Sequence, residues 1–318
     1  MKSVFKTGYL AAAGYLEPLV GELEGVRAIH GRLVLTDRPV QNPFWAQNIW
    51  LDPVVLPIQS ISDGVHRLQS IQRNWWLYSF HLHRRAKLIQ DQLPHVSAKP
   101  VPFPSPLPAS PLGSWTLLDK NTILASPRCS SLFPNGEVNF QEDREGPPNR
   151  AYLKLWEALL RVQEYPRPGQ FCIDAGGSPG GWAWAIHRLG ARVLSIDRSP
   201  LDPRVASLPG VTFEKRDVFS LKPDEFLDSR QGVDWLFSDV VCFPEKLLHW
   251  LTPWVESDIC QNLVCTVKFQ GTSDYAAAGK FAAIKGSRMI HLYHNKHELT
   301  WILLKPDRGI NRQESGPS

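Results

Sequence analysis

A glycine turn and three aspartates carry the first chemical hint in the sequence. The stretch Ile173-Asp174-Ala175-Gly176-Gly177-Ser178-Pro179-Gly180-Gly181-Trp182 leaves an apolar run through a carboxylate, passes four glycines and enters an alanine- and tryptophan-rich segment. Asp197 and Asp239 end two further apolar runs. In open parallel sheets, ligands gather outside the carboxyl ends of the strands, so three carboxylates at three such ends define a candidate site. Asp197 follows Asp174 by 23 residues, near the offset of about 20 at which an acidic side chain takes a ribose diol. The turn departs from the dinucleotide pattern G-x-G-x-x-G. Pro179 removes a backbone donor that a pyrophosphate would use, and no Lys or Arg within the turn neutralises phosphate. A cofactor with ribose and adenine but no phosphates fits better, and S-adenosyl-L-methionine is one. Methyl transfer is therefore favoured over hydride transfer by a nicotinamide oxidoreductase. A purely structural turn stays open as the bland alternative.

The elements that must position these groups follow from periodicity. From Ala151 to Gln163 apolar residues recur at helical spacing. Strands are expected at Phe171–Asp174, Arg192–Asp197, Val211–Lys215, Asp234–Asp239, Asn262–Phe269 and Glu298–Leu304, alternating with helices. That alternation predicts an α/β, mostly parallel, doubly wound sheet of the Rossmann-like kind. Trp182 and Trp184 are expected to pack the helix behind the turn.

Ahead of this region lies a smaller α+β segment. Ser3–Thr7 and Arg32–Leu35 read as strands with a helix between them, and Val65 to Gln92 reads as helical. The latter carries His81, His83, Arg84, Arg85 and Lys87 beside Trp75, Trp76 and Tyr78. Such a mixture suits RNA, through phosphate neutralisation and base stacking, or is a solvated basic face over a Trp-rich core. The His81/His83 pair lacks further ligands, so no metal is expected. Residues 99–112 hold six prolines and read as a stiff spacer. Trp115–Leu118 and Thr122–Ala125, flanking Asp119-Lys120-Asn121, predict a hairpin. The expected divisions are 1–98, a spacer at 99–112, a hairpin and connecting segment at 113–149, the sheet domain at 150–306 and a flexible tail at 307–318.

Composition bounds the function classes. The chain has 318 residues, a formal net charge of +4 and twelve Trp, which permits a polyanionic partner without demanding one. Its five Cys form no C-x-x-C pair, arguing against a zinc site or disulfide framework and for a reducing, cytoplasmic setting. The apolar run from Gly8 to Leu16 is broken by glycines and followed by acidic residues, so it is not read as an export signal. No run approaches the roughly 20 apolar residues of a membrane span.

The motif D-x-G-x-x-P-G-G-W is similar to the cofactor loop of the FtsJ-type RNA ribose 2′-O-methyltransferases. Four other segments resemble that family in the same order. They are the helix around Lys154, Ser238-Asp239, Thr266-Val267-Lys268-Phe269-Gln270-Gly271, and His291 through Glu298 to Thr300. The last resembles most the branch that methylates a cytidine of bacterial large-subunit (23S) ribosomal RNA. Resemblance spans about residues 150–305, with a weaker likeness at 113–140.

The resemblance implies a class I S-adenosyl-L-methionine-dependent methyltransferase domain acting on RNA. It places Lys154, Asp239, Lys268 and Glu298 on a Lys-Asp-Lys-Glu catalytic tetrad, with Lys268 as general base. It places Asp174, Gly176, Gly177, Ser178, Pro179, Gly180, Gly181 and Trp182 on the cofactor loop, and Asp197 at the adenosine ribose. Asp217 and Val218 fall at the adenine, and Asp239 also borders the cofactor. The implied partner is large-subunit ribosomal RNA. Transfer RNA, a messenger cap, or a non-catalytic RNA-binding role are the other readings. The N-terminal part is short for the branch's THUMP-like RNA-binding domain, of which residues 113–149 are a possible remnant.

Overall fold

The computed structural model describes residues 5–227, 232–257, 259–271 and 275–306. The tail expected at 307–318 lies outside the described residues, as does part of the strand expected at Ser3–Thr7. The chain divides into two compact units. One comprises residues 1–145, 151–164 and 290–299, and the other 146–150, 165–289 and 300–318. These divisions differ from the expected ones. The hairpin, the Lys154 helix and the segment before Glu298 all cluster with the N-terminal residues.

In the first unit, β1 (Thr7–Ala11), β2 (Val26–His30), β3 (Leu33–Thr36) and β4 (Ala46–Trp50) form an antiparallel sheet in the order β2-β3-β1-β4. Helix α1 (Leu16–Glu22) lies between the first two strands in sequence. The apolar run weighed as an export signal supplies β1, every residue of which is buried.

A second sheet has the order β5-β8-β7-β6, with β5 (Val54–Pro57), β6 (Trp75–Leu77), β7 (Gly113–Asp119) and β8 (Thr122–Ser126). The expected hairpin is β7–β8. The single helix expected over Val65–Gln92 is instead α2 (Ile61–Ile71), β6 and α3 (His83–Gln90). Helix α2 opens at Ser60, whose side chain accepts from the Asp63 N–H at 3.1 Å. The apolar positions Leu68, Ile71 and Trp75 suit a helix locally. Parallel pairing of Trp75–Leu77 with Gly113–Trp115, distant in sequence, overrides that pattern. Glycine is needed at 113, where a Cβ would lie 2.7 Å from the Trp75 ring.

The proline-rich stretch is therefore a crossover between two neighbouring parallel strands of one sheet rather than a spacer between domains. It is tied down along its length. The Val101 N–H donates to Asn139 O at 2.7 Å, and Phe103 stacks on Trp156 at 4.6 Å between centroids. Trp75 and Tyr78 are buried, so they belong to the core and not to a stacking surface. On α3, Ala86 and Ile89 face inward while His83, Arg84 and Lys87 are exposed. The basic side chains of α3 are thus exposed above a core that includes Trp75.

Helix α4 (Tyr152–Val162) follows and is counted with this first unit. The second unit carries a seven-stranded sheet, apart from Ile290, Glu298 and Leu299, which are counted with the first. Its strands are β9 (Phe171–Ala175), β10 (Arg192–Asp197), β11 (Val211–Lys215), β12 (Val233–Ser238), β13 (Cys260–Lys268), β14 (Ser287–Ile290) and β15 (Glu298–Leu304). Their order is β11-β10-β9-β12-β13-β15-β14, and β9 to β13 pair in parallel. Numbered from β9, this is the doubly wound order 3-2-1-4-5 extended by a seventh strand inserted beside the sixth. The switch point lies between β10–β9 and β12, the place where such sheets hold ligands. Helices α5 (Gly181–Arg188), α6 (Pro203–Ala206), α7 (Pro244–Glu256) and α8 (Ala276–Ala282) complete this unit. Cys172, Cys260 and Cys265 are buried free thiols in β9 and β13, as expected of small apolar residues. Among the described residues, no helix is long and apolar enough to cross a membrane.

Candidate active site

The glycine turn joins β9 to α5 at the switch point. Gly176 and Gly180 adopt φ of +84° and +116°, a region that favours glycine. At Gly177 the constraint is space. A Cβ there would stand 2.0 Å from Ser195 Oγ and 2.5 Å from Asp174 Oδ2. Trp182 and Trp184 are buried in α5, and Trp182 meets Phe237 edge-on, so both pack behind the turn as anticipated.

Asp174 is 0% exposed. Its Oδ2 accepts from the Ser195 hydroxyl at 3.4 Å, while Oδ1 has no hydrogen-bond partner among the described residues. Burial first, then the nearby Asp239 charge, push its carboxyl up to about 7. A buried carboxylate oxygen beside the glycine turn is an acceptor that a polar ligand can use. S-adenosyl-L-methionine, with its sulfonium and ammonium groups, fits these residues.

Asp197 braces the glycine turn, and Asp217 caps a separate one. Asp197, ending β10, accepts from Ser178 N at 3.1 Å through Oδ2 and from Ser199 N at 2.9 Å through Oδ1. The Ser178 hydroxyl donates to Pro200 O at 2.9 Å. Asp217 caps the short 3-10 turn that begins at Val218, accepting from Phe219 N at 3.1 Å. It also pairs with Arg198, which holds its carboxyl below the usual range. Val218 is buried beside it.

A pH dependence follows for the cofactor-free protein. With the Asp174 carboxyl near 7 when folded against 3.8 ordinarily, the folded state binds more protons between those values. Stability should therefore fall as pH rises from about 4 to about 7 and then level off. Asp174→Asn removes this contribution, so its advantage in unfolding temperature over the native chain is expected to be larger at pH 8 than at pH 5. An equal difference at both pH values would refute the assignment.

Four further residues arrive as two pairs. In the second unit, Asp239 directly follows β12 and Lys268 ends β13, adjacent parallel strands. The Lys268 ammonium lies 3.1 Å from Asp239 Oδ1 and donates to the Asp239 carbonyl at 2.5 Å. In the first unit, Lys154 in the first turn of α4 lies 3.1 Å from Glu298 Oε1, and both are nearly buried.

One residue escaped the sequence reading. Glu157, 0% exposed on α4, accepts from the backbone N–H groups of Tyr293 and His294 at 3.0 Å each and from His294 Nδ1 at 2.8 Å. Arg161, one turn on, donates to the same carboxylate at 2.8 Å. Burial works to raise the Glu157 carboxyl, but Arg161 and His294 together hold it below the usual range. It thereby fastens the segment carrying Glu298 to the helix carrying Lys154. The one signal was an acidic residue on the apolar face of an amphipathic helix, three positions after Lys154.

The second unit thus carries a Rossmann-like, doubly wound sheet with its glycine turn at the switch point. Residues 147–267 match the FtsJ-like methyltransferase family, as the motifs implied. The chain is 32% identical over 176 residues to ribosomal RNA large subunit methyltransferase M of Halorhodospira halophila, covering 53% of this chain and 50% of that protein. Likeness to the proteins of the same name from Pseudomonas paraeruginosa and Aromatoleum aromaticum is 28% over 202 residues and 26% over 195. Those matches cover 58% and 56% of this chain, and 55% and 51% of the relatives. The chain thus spans about half the length of the curated relatives it matches.

Proposed function

We propose that this protein transfers a methyl group from S-adenosyl-L-methionine to a ribose 2′-oxygen of RNA, a cytidine of large-subunit ribosomal RNA, in the cytoplasm. The observation that supports this best is the Lys268–Asp239 pair on strands adjoining the glycine turn. It sets a basic side chain beside a turn fitted to a cofactor without phosphates. The likeness to large-subunit ribosomal RNA methyltransferases supports the choice of RNA.

The bound cofactor supplies an already activated methyl group, so the protein has little covalent work to do. A ribose hydroxyl is a poor nucleophile at neutral pH, and it must lose its proton and be aligned. Lys268 takes that proton, with Asp239 orienting its Nζ through both side chain and carbonyl. The family resemblance adds Lys154, paired with Glu298, to the catalytic residues. On the cofactor side, the free Asp174 oxygen and the Gly176–Gly177 cradle hold the amino-acid portion, and Asp197 and Asp217 face the adenosine.

Ribose-methylation mapping of ribosomal RNA from cells with and without the gene tests this reading. Loss of one large-subunit methylation is the expected result, and it names the nucleotide. An unchanged map would reject the ribosomal substrate.

A further inference from the structure

The segment following Asp239 carries an exposure that the cofactor turn and the Lys268–Asp239 pair leave unused. Val241 is 73% exposed and Phe243 61%, among the largest exposures of apolar side chains in the described residues. They alternate with half-buried Cys242 on the short link between β12 and α7.

This link is braced at both ends. Val240 packs on the cofactor turn so closely that a Cβ on Gly176 would lie 2.9 Å from its Cα. At the other end Pro244 begins α7, and Phe243 O accepts from Leu247 N at 3.2 Å. Phe243 itself is extended, with φ −67° and ψ 144°. Two cations flank the link, since the Lys246 and Lys268 charges both act on the Cys242 thiol. The Lys246 ammonium sits 3.9 Å from the centre of the Phe219 ring, next to the Asp217–Val218 corner.

We propose that Val241 and Phe243 form the platform that receives the unpaired base of the nucleotide being methylated. The proposal rests on the ribose methylation reading above. In a nucleoside the 2′-oxygen and the base are borne by adjacent ring carbons. A ribose hydroxyl held at Lys268 therefore carries its base within a nucleoside's width of that ammonium. The link begins at the residue after Asp239, whose side chain and carbonyl meet that ammonium. The ribose is common to all four nucleotides, so Lys268 and Asp239 cannot choose among them, and the choice needs a surface that meets the base. Exposed apolar and aromatic side chains on a braced backbone provide one, because unpaired RNA bases are held by stacking on such groups. A base in a duplex is already stacked, so the platform selects an unpaired or extruded nucleotide. Lys246, in the first turn of α7 after the link, is a cation for a flanking phosphate.

The test is methyl transfer by the full chain to a large-subunit ribosomal RNA fragment containing the mapped site. A second fragment carries an abasic ribose at that position. Phe243→Ala is expected to lower kcat/KM on intact RNA by about tenfold or more, the usual effect of taking an aromatic ring away from a stacked base. On the abasic RNA the native chain falls to the variant's level and the variant loses nothing further. Phe243→Trp stays within about threefold of native on intact RNA, and S-adenosyl-L-methionine affinity is unchanged in both variants. No loss in Phe243→Ala, or an equal loss on both RNAs, overturns the platform while leaving ribose methylation standing. A native chain that binds the cofactor but methylates no RNA rejects the ribose reading itself, and the platform with it.

Discussion

Replacing Lys268 with alanine is expected to abolish methyl transfer to RNA while cofactor binding persists. General bases contribute about 10² to 10⁴ in rate, so kcat should fall by at least about 100-fold. Lys268 meets the Asp239 side chain and carbonyl and is not part of the glycine turn, so calorimetric affinity for S-adenosyl-L-methionine should change little. Lys268→Arg sharpens the test. It keeps the positive charge beside Asp239 but does not deprotonate in a protein, so it too should be inactive. If arginine restores activity, Lys268 serves as a fixed charge and not as a base. If alanine retains activity within about tenfold of native, the residue has no central role.

Glu157→Ala is expected to be strongly destabilising. It would remove the counter-ion of Arg161, which keeps its bond to the Gly136 carbonyl, and the acceptor of His294 and of two backbone N–H groups. Breaking a buried ion pair by removing one member costs about 3–5 kcal/mol, because the other charge is left without compensation. Glu157→Gln keeps the shape and one acceptor oxygen, so its loss should be smaller. The same substitution loosens the segment before Glu298 from α4, so the Lys154–Glu298 pair should suffer as well. Thermal unfolding and methyl-transfer rates, measured on both variants, check the two effects together. A native-like unfolding temperature for Glu157→Ala would show that the buried carboxylate does not hold that segment.

What was legible in the sequence was local. Each strand of the parallel series from Phe171 to Lys268 declares itself by a short apolar run closed by turn residues. The wound order then brings their carboxyl ends together. The switch point followed from that order, and with it the placing of Asp174, Asp197 and Asp239. Pro179 and the glycines were legible as a turn, because a missing backbone donor and a positive φ are set by residue type.

What was not legible depended on partners far away in the chain. Trp75–Leu77 became a strand because residues 113–115 lie beside it, and local spacing contains nothing about them. The same pairing turned a proline stretch that looks like a spacer into a crossover within one sheet. Ser287–Ile290 was missed as a strand for the opposite reason. It is only four residues long, and its place at the sheet edge beside β15 is set by pairing more than by composition.

The four residues of the proposed tetrad divide along this line. Sequence motifs singled out Lys154, Asp239, Lys268 and Glu298 by type and order. Only the tertiary structure decided that Lys268 meets both the side chain and the carbonyl of Asp239, since that meeting requires β12 and β13 to be parallel neighbours. Only the tertiary structure showed that Glu157, outwardly one more acid on a helix, is buried among Arg161, His294 and a loop more than a hundred residues away. Backbone chemistry and periodicity act over a few residues and can be read in order. Burial and charge pairing are properties of the folded surroundings, and those exist only once distant segments have met.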